Sequence, residues 1–465
     1  NMSNMFSGTA LTSFDLNNLS GASAQDLSGM FSSMSALTSL DHLAQFGQRN
    51  LNNGTNQVTN LSNFVNGDSA LTSLDLSGFT NTANLTDLSG AFSGTNASSL
   101  DVSMLNTANV SSMADMLSNN QNLTNVKLGK LDARNVENMS AFLADDPKLT
   151  NIDLSGMQTS AKLTDLSSML MHDSSVTSLT GLNNLNTSNV YSFNSMFSGL
   201  KNLKALDGLS SFDTGKATDM GSMFSGMSSL NNLNLSNFNT SNVTDMSDMF
   251  NGTSGLNNLD LSNFNTQKVK TFADLFSSMD NLSSLNLSNW NFNSLDNSSG
   301  YADRFFGDKN TTTTSVTPKE LVLTLNNGVS LTSDVMNNLV HPRGDVMEVI
   351  YSNVNGLQNP STNGLNSKTN QNYEKVLHTI HFASVANDNN KPQDIVMPIL
   401  YQNEDDLKQQ LDAKLKAALG DKYVVNKSYV NIDHGTDTPG AVNYQQSAIK
   451  TGPEMLNGNY VVAQK

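Results

Sequence analysis

From the first residue to about Phe306, the apolar positions of this chain recur in two alternating rhythms. In one half of each recurrence, as in Leu256–Ser262, residues Leu256, Leu259 and Leu261 mark one face while Asn258, Asp260 and Ser262 point the other way. A period of two over so short a run predicts a strand. In the other half, Met246, Met249 and Phe250 stand at i, i+3 and i+4, which predicts one face of a short helix. Matching triplets include Met2/Met5/Phe6, Leu27/Met30/Phe31, Met113/Met116/Leu117, Phe193/Met196/Phe197, Met220/Met223/Phe224 and Phe272/Leu275/Phe276. Gly8, Gly94, Gly199, Gly226 and Gly252 follow the triplet, where a helix closes on a left-handed residue. Thr244 and Asp245 precede it, as suits a first turn whose N–H groups need acceptors.

The first apolar residue of the strand half falls at Leu11, Leu37, Leu71, Ala97, Leu123, Leu149, Val176, Leu203, Leu230, Leu256 and Leu282. The steps between them are 26, 34, 26, 26, 26, 27, 27, 27, 26 and 26. The long step holds an insertion around Gln48–Asn56 that reads by composition as a surface loop. One strand per unit with same-sense connections implies a parallel ladder, with neighbours about 4.8 Å apart. The expected fold class is therefore α/β: a leucine-rich-repeat solenoid with one parallel strand and one short helix per repeat of about 26 residues. Repeated Met at helical spacing, interchanging with Leu and Phe, fits gap-filling in a narrow core. Trp290 takes the slot of Phe238 and Phe264 and belongs to the same core.

The outward position between the two strand leucines is Asp15, Asp41, Asp75, Asp101, Lys127, Asp153, Thr180, Asp207, Asn234, Asp260 and Asn286. Seven of these eleven are aspartate. Stacked in one file they would repel, by about 1 kcal/mol per pair in a water-like dielectric. Two readings stay open. Either each Asp bonds locally to loop or backbone groups, or the file Asp15, Asp41, Asp75, Asp101, Asp153, Asp207 and Asp260 is a ligand-binding surface. Its ligand would then be a divalent cation such as Ca2+, a basic partner or sugar hydroxyls. Crowded carboxylates should titrate high, so stability and binding are expected to strengthen on mild acidification.

Composition narrows the partners. The 465 residues carry 25 basic and 41 acidic side chains, a net charge of −16, which excludes nucleic-acid binding through clustered Lys and Arg. With no cysteine, disulfides, thiolate metal sites and cysteine nucleophiles are excluded. No apolar run is long enough to span a membrane. The chain opens in the second half of a repeat and ends without a sorting or anchor signal, so it is expected to be a fragment of a longer protein.

The motif L-x-x-L-x-L-S-x-F-N-T-x-x-V-x-x-M-x-x-M-F resembles the BspA-like leucine-rich repeat of bacterial surface proteins, including lactobacillus surface proteins, over roughly residues 1–289. That resemblance implies a cell-surface solenoid contributing to adhesion, extracellular in location, with host mucin, other glycans or an extracellular matrix protein as partner.

Beyond the solenoid at 1–306, residues 307–358 read as a connector and C-terminal cap, with strands at Glu320–Leu325 and Val346–Tyr351. Tyr301, Arg304, Phe305 and Phe306 read as a last helix face closing the core. Arg343-Gly344-Asp345 matches the tripeptide that integrins recognise, but it is also an ordinary turn, and integrin binding is the weaker reading. Residues 359–372, rich in Asn, Gly and Ser, read as a linker. Residues 373–465 read as a small α+β, β-grasp-like domain of ββαββ order. Its strands are Lys375–Phe382, Asp394–Tyr401, Lys422–Val430 and Gly458–Val462, with a helix at Glu404–Leu419. The pair VLHTIHF and PQDIVMPILY resembles the Mub-type repeat of lactobacillus mucus-binding proteins, which adds weight to an adhesin.

No catalytic motif occurs in a supporting context. His378 and His381, three apart on a strand, face opposite sides and cannot share a metal. The chain therefore reads as a non-enzyme: an adhesin that binds through the strand-lined face, or a structural stalk that projects a binding domain located elsewhere.

Overall fold

The computed structural model describes residues 1–19, 24–51, 58–80, 82–288, 290–291, 294–295 and 305. It also describes the backbone of the strands Glu320–Asn326, Val346–Ser352, Glu374–Ala386, Ile395–Tyr401, Tyr423–Asn426 and Asn459–Gln464. The chain forms two compact units, Asn1–Leu282 with Asn291–Gly307, and Ser283–Trp290 with Asp308–Lys465.

In the first unit the leucine-rich halves stack as short parallel strands. Ser13–Asp15 pairs with Ser39–Asp41, Ser99–Asp101 with Asn125–Lys127, and Asn151–Asp153 with Ser178–Thr180. A second parallel ladder of single bridges runs from Asp26 through Asn60, Asp87, Ser112, Asn138, Asp165, Ser192, Asp219 and Asp245 to Thr271. The alternation read from the sequence is the observed one: Leu256, Leu259 and Leu261 are buried, while Asn258 and Asp260 are exposed.

The short helix expected in each repeat does not form. Met246, Met249 and Phe250 are fully buried as predicted, but the backbone around them is a chain of tight turns. Asp248 at φ 56° and Gly252 at φ 72° are left-handed, and the same two positions are left-handed in every repeat, for example Ser195 with Gly199 and Ser222 with Gly226. An α-helix sends each N–H to the carbonyl four residues back. Here alternate N–H groups leave for the next repeat: Met246 to Thr271 O, Asp248 to Ala273 O, Phe250 to Leu275 O and Gly252 to Ser277 O, at 2.7–3.3 Å. The intervening Met249 and Asn251 bond back three residues, to Met246 O and Asp248 O. The resulting turn ribbon keeps the i, i+3, i+4 burial of a helix while tying each repeat to its neighbour.

Among the described residues, the one α-helix is Leu43–Leu51. It opens the insertion expected as a loop, and it buries Leu43 and Phe46. Residues 52–57 of that insertion lie outside the described residues.

The interior is a row of stacked side chains. Phe197, Phe224, Phe250 and Phe276 lie nearly parallel with centroids 5.8–6.0 Å apart. Phe305 continues the row 6.4 Å from Phe276, and its carbonyl accepts the Phe276 N–H. Phe305 thus covers the core as expected. Tyr301, Arg304 and Phe306 lie outside the described residues.

The abundance of Asn and Thr follows from backbone chemistry. A buried peptide group without a partner is costly, and in a stack of turns many face the adjacent repeat. The Thr240 hydroxyl, which is buried, donates to Asn265 O at 3.0 Å and accepts the Asn265 N–H at 2.8 Å. Thr214 does the same with Asn239, and Thr266 with Asn291. Asn263 Nδ2 donates to both Leu235 O and Phe238 O of the preceding repeat.

In the second unit, Ser284–Leu287, Glu320–Asn326 and Val346–Ser352 pair in parallel. Leu285, Leu287 and Trp290 are buried, which fits the core role read for Trp290. A separate sheet holds Ile395–Tyr401, Glu374–Ala386, Asn459–Gln464 and Tyr423–Asn426 in that spatial order, with its central pair parallel and its outer pairs antiparallel. His378 and His381 both lie on Glu374–Ala386. The strands expected here fall on observed ones. The helix expected at Glu404–Leu419 and the tripeptide Arg343-Gly344-Asp345 lie outside the described residues, so the small α+β domain has no described helix to support it.

Candidate functional site

The aspartate file occupies the outward position of the leucine-rich ladder. Asp15 and Asp41 stand in register on adjacent strands. Asp101 stands opposite Lys127, and Asp153 opposite Thr180. Asp15, Asp41, Asp75, Asp153, Asp207 and Asp260 are exposed, and Asp101 is half-buried.

Most of these carboxylates have a local task. The Oδ1 of Asp15 accepts the N–H two residues on, from Asn17, at 2.8 Å. Asp75, Asp101, Asp153 and Asp260 take Ser77, Ser103, Ser155 and Ser262 in the same way at 2.9–3.0 Å. Asn234 and Asn286 substitute for Asp with the same bond. The D-x-S pattern is thus an Asx turn that bends the chain out of the strand. Neighbours supply further partners: His42 Nδ1 lies 2.8 Å from Asp15, Lys127 Nζ 2.9 Å from Asp101 Oδ2, and the Thr180 hydroxyl 2.9 Å from Asp153.

At two members of the file, Asp101 and Asp153, the shift runs opposite to the upward one expected. At Asp101, partial burial pushes the carboxyl up, but the hydrogen bonds from Ser103 and Lys127 outweigh it and the net shift is downward. At Asp153, hydrogen bonds from Ser155 and then Thr180 hold the carboxyl below its ordinary range. At these two positions the adjacent slot holds Lys127, a cation, or Thr180, a donor, in place of another carboxylate.

No group of three or more His, Asp or Glu residues able to hold a metal occurs among the described residues. Ca2+ needs six to eight oxygens. One outward carboxylate per repeat, with an oxygen already engaged in its own turn, does not assemble them.

Two other polar files escaped the sequence reading. One is the bridge ladder, where Asp26, Asp87, Asp165 and Asp245 each accept the N–H two residues on at 2.8–3.0 Å. The other is internal. Asp68, Asn120, Asp146 and Asp173 are each fully buried, in the slot just after the second left-handed residue of the turn ribbon. Other repeats fill that slot with Met34, Leu200, Met227 or Met279, or with Thr95 and Thr253. An acid in a slot that elsewhere holds Met, Leu or Thr is the signal the sequence offers. Burial pushes the Asp68 carboxyl up to about 8, against the lowering effect of the Met34 N–H. Burial raises Asp146 and Asp173 well above the carboxylate range, and at Asp173 the nearby Asp146 adds to it.

These features define a parallel-strand solenoid of stacked turn-and-strand repeats. The chain belongs to the family described as Mycoplasma protein of unknown function, DUF285, whose profile matches residues 41–155, 86–206, 148–232 and 200–313 in overlapping register. No curated protein matches the sequence. Among solved structures, an internalin from Listeria monocytogenes is similar at 14% identity, over 73% of this chain and 80% of that one, with a TM-score of 0.23. A likeness that low carries no argument about fold or function. The family description does not name an adhesin and the matches stop at residue 313, so the adhesive and Mub-type readings rest on the sequence resemblance.

Proposed function

We propose that the solenoid is a non-catalytic scaffold of a bacterial cell-surface protein, extracellular in location, which projects an adhesive segment rather than gripping ligands along its strand-lined face. The observation that supports this is the engagement of that face's polar atoms. Five of its seven aspartates, Asp15, Asp75, Asp101, Asp153 and Asp260, close Asx turns, and its threonines bond the adjacent repeat, as Thr38 does to Thr12 O and Thr124 to Ser98 O. The large hydrophobic side chains exposed among the described residues are Met5, Leu11 and Tyr191. The one aromatic among them, Tyr191, precedes Ser192 on the bridge ladder rather than lying on a leucine-rich strand that carries the file, where a sugar-stacking platform would be needed.

The second reading is that the file itself binds host mucin, another glycan or a matrix protein, with Asp15 and Asp41 in register as its strongest support. One experiment separates the two. The full chain and a variant with Asp15, Asp41, Asp75, Asp101, Asp153, Asp207 and Asp260 all changed to Asn are applied to glycan arrays and to immobilised mucin and matrix proteins at pH 7 and 5. Asn preserves the turn, as Asn234 shows. Equal binding by the two proteins supports the scaffold. Binding by the parent that the variant loses overturns it in favour of the file.

A further inference from the structure

The internal file of acids has a geometry that the outward file lacks. Each of Asp68, Asp146 and Asp173 uses one oxygen, Oδ1, to accept a backbone N–H from the preceding repeat. The donors are Met34 at 2.7 Å, Asn120 at 2.7 Å and Asp146 at 2.8 Å. The second oxygen, Oδ2, is buried in all three and has no donor facing it. A buried carboxylate oxygen with nothing to accept is unfavourable, and the anion would have to be stabilised by its neighbours.

The same slot elsewhere shows what the backbone offers at that point. Asn120 keeps the Oδ1 role, accepting Thr95 N–H at 2.9 Å, and points its Nδ2 donor at Leu117 O, 2.5 Å away. Thr253 points its hydroxyl at Phe250 O, 2.6 Å away. In both cases the partner is the carbonyl three residues earlier. The slot therefore wants a donor where the aspartates place Oδ2.

We infer that Asp68, Asp146 and Asp173 are held as neutral carboxylic acids, each donating from Oδ2 to the carbonyl three residues earlier, and that the solenoid is thereby stabilised by acid and loosened by base at these repeats. The upward shift at all three positions agrees with this. The charged surroundings point the same way. Asp145 adds negative charge beside both Asp146 and Asp173, and acts on Asp115 as well. His172, which precedes Asp173, is paired with Asp145 at 2.8 Å. Around Asp68 the equivalent slots hold Met34 and Thr95, which are uncharged. The inference does not depend on what the solenoid binds. It replaces repulsion in the outward file as the source of acid stabilisation.

The test uses the full chain. Infrared spectroscopy at pH 6.5 should show a protonated-carboxyl band that disappears in the variant carrying Asp68→Asn, Asp146→Asn and Asp173→Asn. Thermal or urea unfolding should show the parent growing more stable from pH 8 to pH 5, its unfolding constant falling by up to about tenfold per pH unit for each acid. The variant should show a shallower slope, and His172→Gln should keep the parent slope, which separates the acids from the imidazole. If the triple variant fails to fold, the parent's infrared spectrum and the single Asp146→Asn variant decide, since Asn120 shows that the slot accepts Asn. A parent without the band at pH 6.5, or an Asn variant with an undiminished slope, overturns the inference.

Discussion

Replacing Phe224 by Ala removes the middle of the phenylalanine row. Phe224 is fully buried and stacks on Phe197 at 5.9 Å and on Phe250 at 5.8 Å. Truncating a buried Phe to Ala costs about 3–5 kcal/mol. Of this, about 1–3 kcal/mol is the loss of two stacked ring contacts. Phe224→Leu should cost much less, because Leu117, Leu143 and Leu170 fill the same slot and are fully buried there. The loss should also be local, because each repeat is held by its neighbours alone. Hydrogen exchange is the assay that reads both effects. Amides of Phe197, Phe224 and Phe250, which bond to Met223, Met249 and Leu275 carbonyls, should exchange faster in the Ala variant, while those of Phe31 and Phe92 stay protected. Equal damage from Leu and Ala, or loss of protection spread evenly from Phe31 to Phe276, would refute the picture of a stack with interchangeable slots.

Three further outcomes follow from the geometry. The Asp68 carboxyl is raised to about 8 in the folded chain from an ordinary ~3.9. Its contribution to stability is therefore complete below about pH 3.9 and is lost as pH rises towards 8, by about 4 kcal/mol at pH 7. Urea unfolding of Asp68→Asn should lose that part of the pH dependence. Ala141 holds a left-handed φ of 49°, a conformation that costs a side-chain-bearing residue about 1–2 kcal/mol, so Ala141→Gly should raise the melting temperature, where a fall would contradict the strain. Thr240→Val keeps the shape but leaves Asn265 N–H and C=O without the hydroxyl that serves both, and should cost about 1–3 kcal/mol in urea unfolding.

The strand halves are legible because Leu259 and Leu261 turn inward on either side of an exposed Asp260, the alternation of an extended backbone. The methionine halves were misread because spacing at i, i+3 and i+4 is shared by a helix and by a ribbon of stacked turns. What separates the two is the residue between the Met positions. Asn63, Gly90, Asp115 and Asp248 belong to the types that tolerate a left-handed backbone, and a helix has no use for one there. The outward aspartates are legible, and so is local bonding as one of the two tasks open to them, but the partner each one takes is not. A turn bond from Asp153 to the Ser155 N–H looks in sequence like any D-x-S, and the neighbouring partner, Thr180, lies 27 residues away. The internal acids show that a single Asp in a Met slot, as at Asp68 against Met34, means more than seven in an exposed one.

The turn ribbon also gives the array an electrical direction. In an ordinary sheet, peptide dipoles alternate and largely cancel. Within the turn segment, as from Met246 to Gly252, the four inter-repeat bonds point one way, from an N–H of one repeat to a C=O of the next, and outnumber the one that points back just before it, Thr244 N–H to Thr218 O. Partial charges therefore accumulate along the stack, carbonyl at the Met2–Gly8 end and amide at the Phe272–Ser278 end. Repeats cannot be inverted, and each end accepts a different kind of neighbour. A segment that continues the ribbon past Phe272–Ser278 must bring carbonyls, as Phe305 does for the Phe276 N–H, and one that covers Met2–Gly8 must bring N–H groups.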